Sequence, residues 1–211
     1  FEDLKYYLDH EKAPIAGFTP DCKYPVVYAE RGRAVIKVKA DLDHLITFMN
    51  KYILNTQNKG ERLGIDYKND EFGQLEIRNY HLTKEDFSFS ISYPAGITLE
   101  EILDKLNRIE GYEYEVVSHF KPVYFDKKAP MVEIMKETYE YVTGNDGTPV
   151  TTTGGTYAKM MPHIVPFGPS FPGQKGIGHN PNEWMTREDL ITNAKIYALT
   201  LYQLSRKETE L

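Results

Sequence analysis

The stretch DFSFSISYP, residues 86–94, constrains the fold more than any other. Phe87, Phe89, Ile91 and Tyr93 alternate with serines, so a strand here would have one apolar face and one wet face. Such a strand must lay its apolar face on something. The next segment, TLEEILDKLNRIEG (98–111), supplies it. Thr98 is a helix cap, Glu101 completes a capping box, and Leu99, Ile102, Leu103 and Leu106 form one stripe, with Gly111 as the stop. A half-wet strand followed by a one-faced helix predicts helices on one side of an antiparallel sheet.

The neighbouring segments extend this pattern. Val26-Val27-Tyr28 and Val35-Ile36-Lys37-Val38 read as strands separated by a turn at Arg31-Gly32-Arg33. Residues 41–54 place Leu42, Leu45, Ile46, Met49 and Ile53 near helical spacing behind Asp41 as cap. RLGIDYK, GQLEIRNY and YEYEVVSHF read as strands. From Val35 to Phe120 the order is β-α-β-β-(β)-α-β, an α+β unit of the ferredoxin-like kind. Beyond it, APMVEIMKETYEYVTG is a helix with Pro130 in its first turn and Gly144 past its end. A final helix over 187–205, capped by Thr186 with Asp189 three residues on, is expected to bury Leu190, Ile191, Ala194, Tyr197, Ala198, Leu201 and Tyr202. A short helix over 3–12 opens the chain.

Composition excludes several functions. The net charge of −6 over 211 residues disfavours nucleic acid or an anionic membrane as main partner, since both reward a basic surface. No apolar run approaches the roughly 20 residues of a spanning helix. A single cysteine, Cys22, rules out an internal disulfide and fits a reducing cytoplasm. The opening Phe1-Glu2-Asp3-Leu4 reads as mid-protein, which suggests a fragment.

Three loops break regular structure where a polar group could be presented. In GFTPDCKYP, Asp21 is either a hard metal ligand or an Asx-turn residue. In GIGHNPNEW, His179 is either a zinc donor or a loop histidine, and Glu183 is either its orienting partner or an acid at a helix start. In TTGGTYAK, Gly154, Gly155 and Thr156 either offer backbone N–H groups to an anion or make a plain turn. No HExxH, CxxC, Walker loop or GxSxG occurs.

Taken in order, YYLDHEKAPIAGFTPDCKYPVVYAERG, GGTYAK with VPFGPSFPG, and GHNPNEWMTREDLITNAKIYALTLYQL resemble the C-terminal half of PepV-type metallodipeptidases, relatives of carnosinases, aminoacylases and desuccinylases. The resemblance implies a partial α/β zinc-peptidase-like catalytic domain interrupted by an α+β ferredoxin-like lid. Segments 1–33 and 124–211 would be catalytic and 34–123 the lid. It implies hydrolysis of dipeptides at two zinc ions, or manganese, with a bridging water. Asp21 would bind one metal and His179 the other, while Gly154, Gly155 and Thr156 would contact the substrate near its carboxylate. Independently of the resemblance, Phe171 and Pro172, in the loop before His179, are expected either near the pocket wall or buried in an unrelated core.

The departures are equally specific. The family's HxD motif, bridging aspartate and Glu-Glu pair precede the YYL segment and are absent here, so the chain alone is expected to be inactive. Its partners would be a small peptide and the missing N-terminal portion of the same protein. Ser92 stands where the family carries an arginine, and KVKA runs straight to DLDHL where the family's lid is longer. Two other readings stay open: a non-catalytic relative acting in binding or assembly, and an N-acyl-amino-acid hydrolase.

Overall fold

A computed structural model describes residues 2–174, 178 and 180–206. Along the chain, helix α1 spans Glu2–His10, and strands β1 (Gly17–Thr19), β2 (Cys22–Lys23), β3 (Val27–Glu30) and β4 (Gly32–Lys39) follow. Helix α2 (Leu42–Phe48) precedes β5 (Lys68–Asn69), β6 (Gly73–Gln74), β7 (Glu76–Leu82) and β8 (Asp86–Tyr93). Helix α3 (Leu99–Leu106) leads into β9 (Glu113–Phe120) and β10 (Val123–Tyr124). Helix α4 (Pro130–Thr143), β11 (Val150–Thr152), β12 (Ile164–Pro166), β13 (Pro169–Ser170) and helix α5 (Arg187–Arg206) complete the order. The chain divides into two compact units, Glu30–Val123 and the flanking Phe1–Ala29 with Tyr124–Leu211.

The Glu30–Val123 unit is a four-stranded antiparallel sheet in the spatial order β7-β8-β4-β9. Phe87, Phe89, Ile91 and Tyr93 all face inward and are buried, as their alternation requires. They meet Ala34, Ile36 and Val38 of β4 and Leu99, Ile102 and Leu106 of α3 in one core. The opposite face is drier than the serines suggest, since Ser90 is itself buried. The capping box of α3 forms as read: Thr98 Oγ1 accepts from Glu101 N at 3.2 Å, and Glu101 Oε2 accepts from Thr98 N at 2.8 Å. The helix ends at Leu106, short of Gly111.

Four local expectations are corrected here. The segment RLGIDYK is not a strand. Gly60 and Gly64 adopt φ of +78° and +69°, and the left-handed conformation at both ends closes Glu61–Leu63 into a 3₁₀ turn. Leu63 and Ile65 still reach the core from it. There is no turn at 31–33. Gly32 already begins β4, and Arg31 alone separates two strands of different sheets. The Arg31 guanidinium is buried, donating through Nε and Nη2 to Phe72 O at 3.0 and 2.8 Å. After Phe48, α2 widens into one π turn over Met49–Ile53, which swings the apolar face round. Leu45, Phe48 and Ile53 are buried, and Leu42 and Ile46 are exposed.

The fourth correction lies in the flanking unit. Its α4 and α5 pack together with Met131, Val132, Ile134, Met135 and Tyr139 facing Ile196 and Leu204 across a core that includes Tyr24, Val26, Val165 and Phe167. Helix α5 is capped as expected, Asp189 N donating to Thr186 Oγ1 at 3.0 Å. Its buried residues, however, are Asn193, Ile196, Thr200 and Leu204. Leu190, Ile191, Leu201 and Tyr202 face outward. The helix is apolar on two sides, and periodicity alone does not say which side the rest of the unit covers.

Candidate functional site

Asp21 lies in a break between two short parallel ladders. Strand β1 pairs with β12 from Gly17↔Ile164 to Thr19↔Pro166, and β2 pairs with β13 at Cys22↔Pro169 and Lys23↔Ser170. Pro20-Asp21 on one side and Phe167-Gly168 on the other form the interruption. Backbone hydrogen bonds close tightly around it. Phe167 N donates to Thr19 O at 3.0 Å, Cys22 N to Gly168 O at 2.6 Å, and Gly168 N to Lys23 O at 3.1 Å. Gly168 has φ of +75°, and a Cβ there would lie 2.5 Å from Tyr197 Oη and 2.6 Å from Tyr24 Cζ, so both conformation and space call for glycine. The Asp21 side chain is exposed at this break. Irregularities of this kind commonly re-aim a side chain beside a functional site.

Two further bonds brace the break. Tyr24, buried, donates through Oη to Asn193 Oδ1 at 2.7 Å, and Asn193 Nδ2 donates to Pro169 O at 3.1 Å. Burial, with the hydroxyls of Tyr197 and Tyr139 nearby, pushes the Tyr24 pKa far above the ordinary tyrosine value, so it remains a neutral donor. The brace depends on Asn193, which the sequence reading did not single out. Its signal would have been an amide in the middle of an otherwise apolar helical face.

Beyond β13 lies a cavity of about 280 Å³ lined by Pro169, Ser170, Gln174, Gly178, Glu183, Trp184 and Met185. Gln174 is held by Asp189 Oδ2 at 2.9 Å. Asp21 is not among the lining residues, but its neighbour Cys22 is the ladder partner of Pro169, which is. His179 lies outside the described residues. Glu183, its expected orienting partner, borders the cavity, and Glu183 N donates to Asn180 O at 3.2 Å. Phe171 does not line the cavity. It packs against the core of the flanking unit with its ring 4.9 Å from that of Tyr24.

The glycine loop is built differently from an open anion nest. Gly154 N donates to Thr152 Oγ1 at 3.2 Å, and Thr156, buried, uses its hydroxyl to accept from Ala158 N at 3.1 Å and start a 3₁₀ turn over Tyr157–Lys159. Neither Gly154 nor Gly155 has positive φ. Gly155 instead makes room for Lys159, whose Cε would lie 2.5 Å and Nζ 3.8 Å from a Cβ at that position. An ammonium thus lies beside the loop, a feature the sequence reading did not use.

Among the described residues no three His, Cys, Asp or Glu side chains come together as a metal-holding group. A zinc centre takes three or four protein ligands. Asp21 can supply one carboxylate, and the described residues do not complete such a centre. Nor is any described helix long and apolar enough to cross a membrane.

Comparison with known proteins bears on the chain as a whole. A Staphylococcus aureus (strain USA300) protein assigned by name to the dipeptidases is 28% identical over 198 residues, covering 87% of this chain. The chain spans only 42% of that relative's length. The crystal structure of human carnosine dipeptidase 1 matches 97% of this chain and 62% of its own with a TM-score of 0.57 at 11% identity. A Staphylococcus aureus tripeptidase matches 92% of this chain and 58% of its own with a TM-score of 0.62 at 14% identity. At such identities the likeness to these structures is one of fold alone. The family described as Peptidase family M20/M25/M40 matches residues 12–203, nearly the whole sequence, and the chain belongs to that family.

Proposed function

We propose that this chain is a portion of a metal-dependent M20 dipeptidase, contributing Asp21 to one of two zinc ions and His179 to the other. Zinc, or manganese in its place, would supply a polarised, activated water in such a hydrolase. The Gly154-Gly155-Thr156 loop, with the Lys159 ammonium beside it, would meet the carboxylate end of a small peptide. The Glu30–Val123 unit, with its β7-β8-β4-β9 order, would correspond to the family's ferredoxin-like lid.

One observation carries the reading. The Asp21 break is hydrogen-bonded directly to the Gly168-Pro169 segment, whose Pro169 and Ser170 border a cavity that also takes in Gly178, next to His179. The Asp21 break is thereby tied to a strand that precedes His179 in sequence. The remaining ligands and the general base would come from residues this chain does not contain.

A second reading has Ser92 in its favour. It sits on β8 between Arg33 of β4 and Glu76 of β7, where the resembling family carries a guanidinium. A relative that had lost substrate binding would tolerate this change.

The test grafts this chain in place of the aligned 198 residues of the Staphylococcus aureus relative. The chimera is assayed with zinc or manganese against dipeptides, tripeptides and N-acyl amino acids. Dipeptide cleavage that disappears in Asp21→Ala and His179→Ala is expected. Preferential cleavage of N-acyl substrates overturns the dipeptidase reading, and a folded, inert chimera favours the binding protein.

A further inference from the structure

The cavity beyond β13 is lopsided in its chemistry. Its volume of about 280 Å³ is at the small end for ligand sites and suits one long side chain better than a run of residues. Pro169, Trp184 and Met185 give it apolar walls, and Glu183 is the only charged group among its described lining residues. Glu183 Oε1 lies 3.9 Å from where a Cβ on Gly178 would sit, so the carboxylate itself stands at the wall.

The neighbouring polar groups are already committed. Gln174 Nε2 donates to Asp189 Oδ2 at 2.9 Å and its Oε1 accepts from Phe171 N at 3.0 Å, which engages both ends of the amide. Asn193 Nδ2 donates to Pro169 O at 3.1 Å and lies 3.7 Å from Met185 Sδ, so both apolar walls are fixed to one buried amide. A cavity shaped in advance lowers the ordering cost of binding. Its surroundings disfavour an anion, since Asp189 stands behind Gln174 and no Lys or Arg is among the described lining residues. Acids at a helix start are common, because the N–H groups of the first turn attract them, and Glu188 and Asp189 are of that kind. Glu183 lies three positions before the cap residue Thr186, outside the first turn, where that attraction has faded.

We infer that this cavity binds the cationic side chain of a small peptide, lysine or arginine, with Glu183 opposite the charge, Trp184 beside it and the methylene stem against Pro169 and Met185. An ammonium or guanidinium group gains from an indole ring as well as from a carboxylate, and its stem covers apolar surface while the head stays polar. An acidic side chain would meet Glu183 with no cation among the described lining residues to offset it. A plain aliphatic one would fill the walls and leave the carboxylate unused. That the occupant is a peptide rests on the dipeptidase reading above. The preference for a cation rests on the lining residues alone and needs neither metal nor turnover.

Trp184 is the chain's single tryptophan, so its emission reports on this cavity alone. The free chain, without metal, is titrated with the dipeptides Ala-Lys, Ala-norleucine and Ala-Glu, which share a backbone and differ in side-chain charge. Ala-Lys is expected to bind about tenfold more tightly than Ala-norleucine, the scale of one charge pair plus one ring contact at a partly exposed site. Ala-Glu is expected to bind more weakly than either. Glu183 is exposed, so Glu183→Gln keeps the fold; it should bring Ala-Lys and Ala-norleucine to equal affinity, whereas Glu188→Gln should preserve the difference. Equal affinities in the unaltered chain, a difference that survives Glu183→Gln, or no saturable change with any of the three overturns the inference. The chimera described above distinguishes this from a failure of the hydrolase reading. Dipeptide cleavage by the chimera, with no cation preference in the free chain, sinks the inference and leaves that reading standing. A cation preference in the free chain, beside a folded and inert chimera, upholds the cavity and counts against the hydrolase.

Discussion

Tyr24 donates a hydrogen bond through its hydroxyl to Asn193 Oδ1 at 2.7 Å, joining the residue three beyond Asp21 to the last helix. Asn193 is buried and also donates to Pro169, so one amide holds both sides of the ladder break. Asn193→Ala leaves the Tyr24 hydroxyl and the Pro169 carbonyl without this partner, which costs on the order of 1–3 kcal/mol. Tyr24→Phe removes only one of the two bonds. Urea unfolding is expected to rank Asn193→Ala as the more damaging change; the reverse order would mean that the brace through Pro169 contributes little.

Gly168→Ala strikes the same break from the other strand. A left-handed φ of +75° and a Cβ within 2.6 Å of Tyr24 and Tyr197 leave alanine neither conformation nor room. Left-handed strain alone costs about 1–3 kcal/mol, and the clash adds to it. Gly111→Ala makes a control, since its φ of +87° is similar but nothing lies within 4 Å of the added atom. Thermal melts should show the larger fall for Gly168→Ala.

In the four-stranded unit, Gly32 lies under the ring of Tyr93, where a Cβ would come 2.3 Å from Cζ. That ring cannot easily move. It is buried, and its hydroxyl meets His119 Nε2 at 2.5 Å. Gly32→Ala is therefore expected to destabilise by about 1–3 kcal/mol through overpacking. The double variant Gly32→Ala with Tyr93→Leu should recover part of the loss, which denaturant midpoints would reveal.

Burial pushes the Tyr93 pKa up to about 12, with the nearby Glu100 carboxylate adding to the effect. A phenol whose folded-state pKa exceeds its unfolded value of about 10 binds more protons folded than unfolded above that pH. Its contribution is thus intact below about pH 10 and is lost as pH rises toward 12. Burial raises Tyr114 in the same direction. Stability measured across this window should fall, and Tyr93→Phe should make the fall shallower. An unchanged slope would show that Tyr93 ionises no less easily folded than unfolded.

Asp21 is exposed, so Asp21→Ala should leave the melting of the free chain nearly unchanged, within about 0.5 kcal/mol as for most surface substitutions. Calorimetric titration of the free chain should show no stoichiometric, tight zinc uptake, because the described residues bring no three ligands together. Tight binding of two zinc ions would refute this. The two measurements together test whether Asp21 supports the fold and whether the free chain holds zinc by itself.

Local chemistry decided what could be read from residues in order. The capping box of α3, the alternation in β8, and Pro130 and Gly144 bounding α4 are each settled within a few positions by sterics and hydrogen bonding, and each stands in the structure. The candidate site was legible only as loops of suggestive chemistry. That Asp21 sits at a ladder break, that Asn193 braces it, and that Lys159 lies against Gly155 depend on pairings between segments more than 140 residues apart or on side-chain packing within a turn. RLGIDYK reads as a strand from its apolar residues, but left-handed glycines at 60 and 64 close a 3₁₀ turn there instead. For α5, amphipathicity along the chain identifies apolar faces but not their neighbours. Only tertiary packing decided that Ile196 and Leu204 go inward while Leu190 and Leu201 stay outside, because burial depends on which surfaces the rest of the polypeptide brings up against them.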